Sequence, residues 1–354
     1  GFCSGGGETF PVELANLMKA AGYNVTYFDC AQEPRNQDVR RKLRRDIPIV
    51  SDIPHLEKIV SDFGIDLIHS HHAWVDSTIL DILPEEGDFK TIVTLHGMYE
   101  TINSIDLKFI LPRLVKRSSR LIYVADKNVS ALTAYKGNDE KKLVLIENAL
   151  SVSEFDPVSR SDLGISEGAF VLVLISRAME EKGWQEAVEI VSAAREKSEK
   201  DIQLVLVGDG PEYDRLGALQ LPAFIHLEGF QDNVRGYFSC SDMGFLPSRF
   251  RGESFPMVII ECLQAGRPIL ASSLGDIPYM LSGPDGPAGV LVELDGFEIN
   301  VSLWAEKIAH LASDKIACES LQSRVFSAAQ KFDSGVMTRK YDEVYRSVLD
   351  ESVL

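Results

Sequence analysis

Short apolar runs alternate with longer helical stretches along most of this chain, and this alternation constrains its fold more than any other feature. Residues 170–175 are almost wholly apolar, as expected of a strand that is buried on both faces of a parallel sheet. Residues 91–95 and 203–207 are similar runs, and residues 24–29 are also typical of a strand. Stretches with helical spacing, such as residues 127–134, separate the predicted strands. The sequence therefore predicts an α/β fold, in which helices cover both faces of parallel sheets.

The alternation runs twice, which indicates two domains. With 354 residues, the chain is long enough to bury two hydrophobic cores. The first series ends near residue 150 and the second begins at residue 170. Residues 301–349 are mostly helical, in three stretches with breaks expected near Asp314 and at residues 333–335. The Gly-rich residues 1–10 are typical of a loop that leads into a helix from Pro11. Since such a loop normally follows a strand, we expect the first strand to be missing from the sequence.

Charge and cysteine usage exclude several classes of protein. The formal net charge is −17, whereas a nucleic-acid-binding protein needs a basic face, so nucleic acid is not expected as a partner. The five cysteines are scattered and lack metal-ligand spacing, which argues against a disulfide framework and a zinc site. No stretch approaches the length of a membrane span and no signal peptide is visible. We therefore expect a soluble, cytoplasmic protein.

A predicted strand, turn and helix near residue 250 form a candidate anion site. Residues 243–248 are typical of a buried strand, and an apolar run from Pro256 is typical of a helix that ends at Gly266. Backbone N–H groups and the helix dipole at such a helix start favour an anion such as phosphate. Glu253 lies before the helix and Glu261 inside it, on either side of that position, where carboxylates suit hydroxyl groups. A solvated turn residue and a surface charge are the alternative interpretation.

Other candidate site residues follow predicted strands, where open α/β sheets bind ligands. Arg177 offers a planar pair of donors and Lys182 a point charge, and together they suit a diphosphate. His96 follows the strand at residues 91–95, and its alternative role is purely structural. Gly5, Gly6 and Gly7 could approach a phosphate, or they could belong to a flexible terminus.

Two further clusters allow more than one interpretation. Three histidines, His69, His71 and His72, lie close together, but no carboxylate or cysteine completes a ligand set, so no metal is predicted. Residues 35–45 hold six basic side chains. Such a run is usually a solvated helix face. It could also dock an anionic acceptor or lipid head groups, which makes peripheral contact with a membrane possible.

The order of these motifs resembles the retaining family 4 of glycosyltransferases (glycosyl transferases group 1), which have the GT-B fold. The resemblance spans almost the whole chain. It rests on the following motifs: Gly5-Gly6-Gly7-Glu8, His96-Gly97, Arg177, Lys182-Gly183, Gly208-Asp209-Gly210-Pro211, Pro247-Ser248, Glu253, Glu261, Ala265-Gly266-Arg267-Pro268 and Gly275 to Pro278. The chain departs from the family pattern at Ser176, Asn148-Ala149, Asp276 and Tyr279.

The resemblance implies two Rossmann-like domains with parallel sheets facing across a cleft. Residues 1–150 would bind the acceptor, residues 151–334 the nucleotide-sugar donor, and residues 335–354 would form a helix that crosses back to the first domain. Arg177 and Lys182 would bind the diphosphate, Glu253 the sugar hydroxyls and Glu261 the ribose. His96 and the Gly5–Gly7 loop would close on the donor. The remaining implied donor contacts are Phe230 and Gln231 near the base and Ser254, Phe255, Pro256, Met257 and Val258 at the sugar and phosphates.

The expected activity is therefore retaining transfer of a hexose-type sugar from a nucleoside-diphosphate sugar to a glycan or lipid-linked acceptor, as in polysaccharide biosynthesis. No Asp-x-Asp pair follows a strand, and cations with a helix start can stabilise the leaving diphosphate, so we expect no metal or other cofactor. Two alternatives stay open: a non-catalytic protein that binds nucleotide sugars, and a sugar-nucleotide epimerase of the same fold.

Overall fold

The computed structural model describes residues 6–30, 37–84, 89–133, 135, 137 and 139–350, and it describes the side chains from residue 9 onward. These residues divide into two compact units, residues 1–151 with 333–354, and residues 152–332. Each unit is built around its own parallel sheet. The predicted α/β class is therefore confirmed.

The strands and helices follow each other in alternation in both units. The strands are β1 (Tyr27–Phe28), β2 (Ile49–Val50), β3 (Leu67–Ser70), β4 (Lys90–Leu95), β5 (Arg120–Tyr123), β6 (Leu143–Leu145), β7 (Phe170–Ile175), β8 (Ile202–Val207), β9 (Ile225–Gly229), β10 (Met243–Leu246), β11 (Ile269–Ser272) and β12 (Gly289–Val292). The α-helices are α1 (Gly6–Ala20), α2 (Gln37–Arg41), α3 (Leu56–Phe63), α4 (Ala73–Ile82), α5 (Ser104–Arg117), α6 (Ser130–Thr133), α7 (Trp184–Glu196), α8 (Pro211–Gly217), α9 (Val234–Cys240), α10 (Met257–Gln264), α11 (Ile277–Leu281), α12 (Val301–Ser313), α13 (Lys315–Ser323), α14 (Val325–Ala329) and α15 (Ser334–Asp350).

In the first unit, β3, β4, β5 and β6 form a parallel sheet in that order, and β1 pairs with β2. The C-terminal helix α15 belongs to this unit. Its Asp342 accepts a hydrogen bond of 2.7 Å from Tyr23, and its Tyr345 hydroxyl lies 2.6 Å from Nδ1 of His69. The last helix is thus joined by side-chain hydrogen bonds to residues near the start of the chain.

In the second unit, six parallel strands have the order β9-β8-β7-β10-β11-β12. The chain adds strands outward from β7 to β9, then returns to the other side of β7 and adds β10 to β12, which is the Rossmann order. All six residues of β7 are buried, because α-helices cover both faces of the sheet. Trp184 on α7 and Trp304 on α12 pack in one core with Phe245 of β10, and each is almost completely buried.

Four sequence expectations differ from the structure. The helix expected from Pro11 begins at Gly6, so Gly6 and Gly7 lie in the first turn of α1 and not in a loop. Among the residues that the structure describes, the strand expected at residues 24–29 is limited to Tyr27–Phe28, which pair with β2. Residues 126–129 form a 3-10 turn before the short helix α6. The C-terminal helical region has an additional break at Arg324, between α13 and α14.

Candidate functional site

The candidate site lies where the strand order of the second sheet reverses. β7 and β10 are neighbours in the sheet and parallel, although many residues separate them in sequence. Loops that follow such neighbouring strands diverge, and open α/β sheets bind ligands in the crevice between them. The loop after β7 contains Arg177 and Lys182, and the loop after β10 contains Glu253. The fold therefore brings these predicted residues to one edge of the sheet.

Lys182 and Glu253 form a buried ion pair. Nζ of Lys182 lies 2.7 Å from Oε2 of Glu253, and their side chains are 12% and 7% exposed. The Ser248 hydroxyl donates a hydrogen bond of 2.7 Å to the same carboxylate oxygen. The ring of Phe250 lies 4.8 Å from Nζ, which adds a cation–π contact. Two residues predicted separately as a phosphate and a sugar ligand are thus in direct contact.

Backbone packing fixes the distance between the two loops. Gly183, which has φ of +75°, lies so close to the next loop that a Cβ atom would be 2.1 Å from the carbonyl oxygen of Pro247. The Arg249 amide donates a hydrogen bond of 2.8 Å to the Glu181 carbonyl. The Arg249 guanidinium also contacts Glu180 at 2.8 Å and Glu186 at 3.1 Å. These contacts hold Lys182 opposite Glu253.

Arg177 lies on an exposed turn supported by the loop after β8. Gly208 packs so tightly that a Cβ atom would be 1.9 Å from the Ser176 carbonyl oxygen. The buried Trp184 donates a hydrogen bond of 2.9 Å from Nε1 to the Ser176 hydroxyl, which in turn donates one of 3.0 Å to the Arg177 carbonyl. Within the described residues, the Arg177 guanidinium has no hydrogen-bond partner. Arg177 is therefore held by its backbone and exposes its cationic end.

The start of α10 has the features of an anion site. Pro256 precedes its first residue, Met257, and within the described residues no side chain caps the helix start. The Pro256 carbonyl accepts the first backbone hydrogen bond, from Ile259 at 3.1 Å. Glu261, the fifth residue of the helix, is half-buried about one turn further on. The expected helix and the place of Glu261 in it are confirmed, and the roles assigned to Glu261 and to the helix start stay predictions.

The segment before α10 is buried and covered by the loop after β11. Glu253, Ser254 and Phe255 are all buried. Gly275, with φ of +51°, would place a Cβ atom 2.5 Å from the Glu253 carbonyl oxygen, and the Asp276 amide donates a hydrogen bond of 2.9 Å to the Ser254 carbonyl. A bulkier residue at position 275 would displace the turn that carries Glu253.

The aromatic ring of Phe255 packs against two other aromatic rings. It lies 5.8 Å from the Phe332 ring and 6.5 Å from the Tyr279 ring, measured between centroids. The Phe255 ring is therefore packed between other aromatic side chains, and the contact of backbone groups at residues 255–258 with a ligand stays a prediction. Val258 is half-buried and Met257 is buried.

Phe230 and Gln231 follow β9 and are both half-buried. The Gln231 side-chain amide donates a hydrogen bond of 2.9 Å to the Glu228 carbonyl, and the Glu228 carboxylate accepts one of 3.1 Å from Tyr237. Their predicted place near the base of a nucleotide stays a prediction.

His96 lies directly after β4 in the first unit and contacts other aromatic rings. Its Nε2 is 3.3 Å from Nδ1 of His71, and the two rings stack with centroids 5.5 Å apart. The ring of Phe10 meets His96 edge-on at 5.1 Å. Burial lowers the pKa of His96 to about 3 and lowers that of His71 well below its usual value. Both imidazoles are therefore neutral near pH 7.

His69 and Asp76 are further titratable groups with shifted pKa values in this unit. His69 contacts the hydroxyls of Tyr345 at 2.6 Å and Thr94 at 2.7 Å, and burial lowers its pKa to about 3. Burial raises the pKa of Asp76 to about 7, although hydrogen bonds from Ser70 and Tyr99 oppose that shift. His69, His71 and His96 are thus three neutral imidazoles in contact with one another.

The remaining sequence expectations concern Gly5, the basic cluster, a metal site and a membrane span. Gly5 lies outside the described residues. Two arginines of the predicted basic cluster are paired, Arg41 with Asp38 and Arg44 with Asp46, each at 2.8 Å. The described residues bring no three His, Cys, Asp or Glu side chains together at a spacing that could hold a metal ion. Across the same residues, every helix is too short or too polar to span a bilayer.

Comparison with known proteins identifies the family. The model of Glycosyltransferase Family 4 matches residues 4–154, and that of Glycosyl transferases group 1 matches residues 169–314. The chain is a family 4 glycosyltransferase. The activity class expected from the sequence is therefore confirmed.

Relatives and solved structures agree with this assignment. The glycosyltransferase is 28% identical over 301 residues to the N-acetyl-alpha-D-glucosaminyl L-malate synthase of Bacillus anthracis, covering 81% of this chain and 76% of the relative. It is 23% identical over 362 residues to a D-inositol 3-phosphate glycosyltransferase of Arthrobacter, covering 88% and 82%. HepE of Anabaena, solved in complex with UDP-glucose, superposes with a TM-score of 0.80 at 18% identity and covers 98% of this chain and 97% of HepE. These likenesses confirm the GT-B fold of the glycosyltransferase.

Sequence reasoning missed four contacts of this glycosyltransferase. The ion pairs of Arg249 join the loop after β10 to Glu180 and to Glu186 of α7, and the hydrogen bond from Ser248 to Glu253 lies within the loop after β10. The contact between His71 and His96 joins the ends of two neighbouring strands, β3 and β4. Only the last had a usable signal, because both histidines directly follow adjacent strands of a predicted parallel sheet.

Proposed function

We propose that this glycosyltransferase moves a hexose-type sugar from a nucleoside-diphosphate sugar to a hydroxyl of a glycan or lipid-linked acceptor, with retained anomeric configuration and without a metal ion. One observation carries the proposal. The Lys182–Glu253 ion pair lies at the strand-order reversal of the second sheet, and it joins the loop that carries the exposed Arg177 to the loop that leads into α10. The family supplies the reaction class, and this arrangement supplies the electrostatics.

The cations are assigned to the leaving group. As the glycosidic bond breaks, negative charge grows on the departing diphosphate, and fixed donors directed at that charge lower the barrier. Lys182 donates one hydrogen bond to Glu253 and has two further N–H donors. Arg177 adds a planar pair of donors. With the uncapped N–H groups at Met257 and Val258, these residues replace a divalent cation in the proposed mechanism.

The carboxylates are assigned to hydroxyl groups at the two ends of the diphosphate. Glu253 precedes the helix start and is assigned to the donor sugar. Glu261 lies about one turn inside α10 and is assigned to the ribose. Ser254 and Pro256 lie in the segment that would contact the sugar and phosphates, and Phe230 and Gln231 are assigned to the base.

The environment of Glu253 supports attack on the same face as the leaving group. Its carboxylate is buried and engaged by Lys182 and Ser248, so it is poorly suited to attack the anomeric carbon. In the proposed step, the bond between the anomeric carbon and the phosphate oxygen breaks through an oxocarbenium-like state. The acceptor oxygen bonds to the same face of that carbon, and its proton passes to the departing phosphate. His96, together with Gly5, Gly6 and Gly7, is assigned to positioning the donor sugar.

UDP is the first donor nucleotide to test, because HepE of the same fold was solved with UDP-glucose. The acceptor has a second candidate class. The names of two relatives specify L-malate and D-inositol 3-phosphate, which are small hydroxylated anions. A small anionic acceptor therefore stands beside a glycan or lipid-linked one.

The variant Lys182→Ala tests the site. We expect transfer and nucleotide retention to be lost together, because the variant removes the buried cation from the diphosphate site. Activity is followed by release of nucleoside diphosphate, and nucleotide binding by calorimetry. Lys200→Ala, which alters an exposed residue of the same unit, is the control. Full transfer activity in Lys182→Ala would contradict the proposed role.

The substrates, the retained configuration and the independence of metal are tested by separate measurements. A panel of UDP-, GDP-, ADP- and TDP-sugars with glycan, lipid-linked and small anionic acceptors identifies both substrates by product mass. The anomeric coupling constant of the product in a proton NMR spectrum reports retention. We expect activity to persist in EDTA, and loss of activity that is restored by a divalent metal would contradict metal-independent transfer. Isomerised donor without transfer would indicate an epimerase.

A further inference from the structure

We propose that His71 is a positioning residue for His96, fixing both the plane of the His96 imidazole and the ring nitrogen that carries its proton. The inference rests on the role of His96 in the proposed function. It adds a residue to which neither the family assignment nor the motif order gave a function.

The contacts of the two rings carry the proposal. Nδ1 of His71 and Nε2 of His96 are 3.3 Å apart, and the two imidazoles lie within 29° of parallel. Phe10 meets both of them edge-on, with its centroid 6.0 Å from that of His71 and 5.1 Å from that of His96. The His96 ring is therefore restrained by a hydrogen bond on one edge and by an aromatic ring at its side.

A second pair of contacts holds His71 itself. The His69 ring lies 4.1 Å from the His71 ring, measured between centroids. Both nitrogens of His69 are used, one by Tyr345 of α15 and one by Thr94 of β4. His69 is thus fixed to two elements, and it limits the rotation of His71.

The hydrogen bond also selects a tautomer. A neutral imidazole has one nitrogen that donates and one that accepts, and both rings are neutral because burial lowers the pKa of each. The bond to His71 occupies Nε2 of His96, and within the described residues Nδ1 of His96 has no hydrogen-bond partner. If His71 donates, Nδ1 of His96 carries the proton, and if His71 accepts, Nδ1 is bare. In either case, the hydrogen bond determines whether Nδ1 of His96 carries a proton.

Two variants of similar size separate the hydrogen bond from the packing. In His71→Asn, the side-chain amide takes the approximate place of Nδ1 and can donate or accept, whereas His71→Leu fills a similar volume without a polar atom. We expect His71→Leu to lower kcat about tenfold, equivalent to ~1.4 kcal/mol in the barrier. KM for the donor should stay within about twofold, because His71 does not touch the donor. His71→Asn should recover most of kcat.

A spectroscopic measurement tests the tautomer without relying on a variant at position 71. The protein labelled with nitrogen-15 at histidine gives one pair of ring signals for each histidine, and His96→Gln identifies the pair from His96. In the wild-type protein, we expect one nitrogen of His96 to be fully protonated and the other bare. Intermediate shifts of both nitrogens, which indicate exchange between tautomers, would overturn the proposal.

The outcomes distinguish this inference from the proposed function. Wild-type kcat in His71→Leu, or equal losses in His71→Leu and His71→Asn, would overturn the positioning role even if His96→Ala is inactive. Unchanged transfer in His96→Ala would instead remove His96 from the proposed mechanism, and the positioning role would fall with it. A raised KM with unchanged kcat in His71→Leu would also contradict the inference, since it would indicate direct donor contact.

Discussion

Removing only one partner of the Lys182–Glu253 pair should destabilise the second unit more than replacing both. In Lys182→Met, the Glu253 carboxylate stays buried, loses its cationic partner and keeps the hydrogen bond from the Ser248 hydroxyl. Breaking a buried pair in this way costs about 3–5 kcal/mol. The remaining hydrogen bond favours the lower end, about 3 kcal/mol, which corresponds to a loss of about 6–12 °C in Tm for a unit of this size.

The double variant Lys182→Met, Glu253→Gln removes both charges while keeping the volumes of the side chains. Because no buried charge is left without a partner, we expect it to recover the free energy of unfolding to within about 1 kcal/mol of the wild-type value. It should still fail to transfer sugar, since neither the cation nor the carboxylate is present. Stability and activity would then separate at the same two positions.

Urea unfolding followed by tryptophan fluorescence is a suitable assay, because two of the three tryptophans, Trp184 and Trp304, are buried in the second unit. Lys315→Met is the matched control, since Lys315 and Glu319 form an ion pair with side chains 87% and 62% exposed, and little change is expected there. The reasoning would be refuted if Lys182→Met unfolds like the wild type, or if the double variant loses the sum of the two single effects.

Two further predictions concern stability. Gly183→Ala should cost at least about 2 kcal/mol more in free energy of unfolding than Gly164→Ala, because both have similar positive φ but only Gly183 would place a Cβ atom against Pro247; equal costs in denaturant titrations would contradict this. Burial raises the pKa of Asp76 to about 7. The protonated Asp76 therefore contributes up to ~4 kcal/mol to the free energy of unfolding below about pH 4, and this contribution is lost as the pH rises through 7. We expect Asp76→Asn to remove this dependence of the unfolding free energy on pH when the variant and the wild type are compared between pH 4 and 8. Parallel profiles of the two proteins would contradict the prediction. The comparison is needed because the depressed pKa values of the nearby histidines change stability in the opposite direction over the same range.

The elements with a strong local pattern could be predicted from the sequence. The bounds of β7 were correct, because apolar residues fill all six positions of a strand that is buried on both faces. The helix α10 was also correctly expected, since an apolar run lies between Pro256 and a glycine with positive φ, Gly266. Patterns of this kind lie within a single element, so they can be recognised in the sequence without knowledge of long-range contacts.

The errors occurred where long-range pairing or end effects decide the structure. The expected strand near residue 27 has only a two-residue partner, β2, so pairing and not propensity limits its length. At the N-terminus, Gly6 and Gly7 have poor helix propensity, yet the helix includes them. Propensity is a weak guide where one or two residues at a helix end are concerned.

In the candidate site, too, the membership of residues could be predicted from the sequence, whereas their side-chain contacts could not. The motif order indicated that Arg177, Lys182 and Glu253 belong to one site, and the sheet order brings their loops together. The ion pair between Lys182 and Glu253, the contacts of Arg249 and the bond between His71 and His96 depend on how the loops pack. Side-chain partners from distant loops leave no periodic trace in the sequence.

A crystal structure of the protein with a bound nucleoside-diphosphate sugar tests the central claim most directly. We predict that the Lys182 amine and the Arg177 guanidinium lie within hydrogen-bond distance of the diphosphate at the start of α10, with Glu261 on the ribose and Glu253 on the sugar. A diphosphate bound elsewhere, or one that contacts neither cation, would contradict the account.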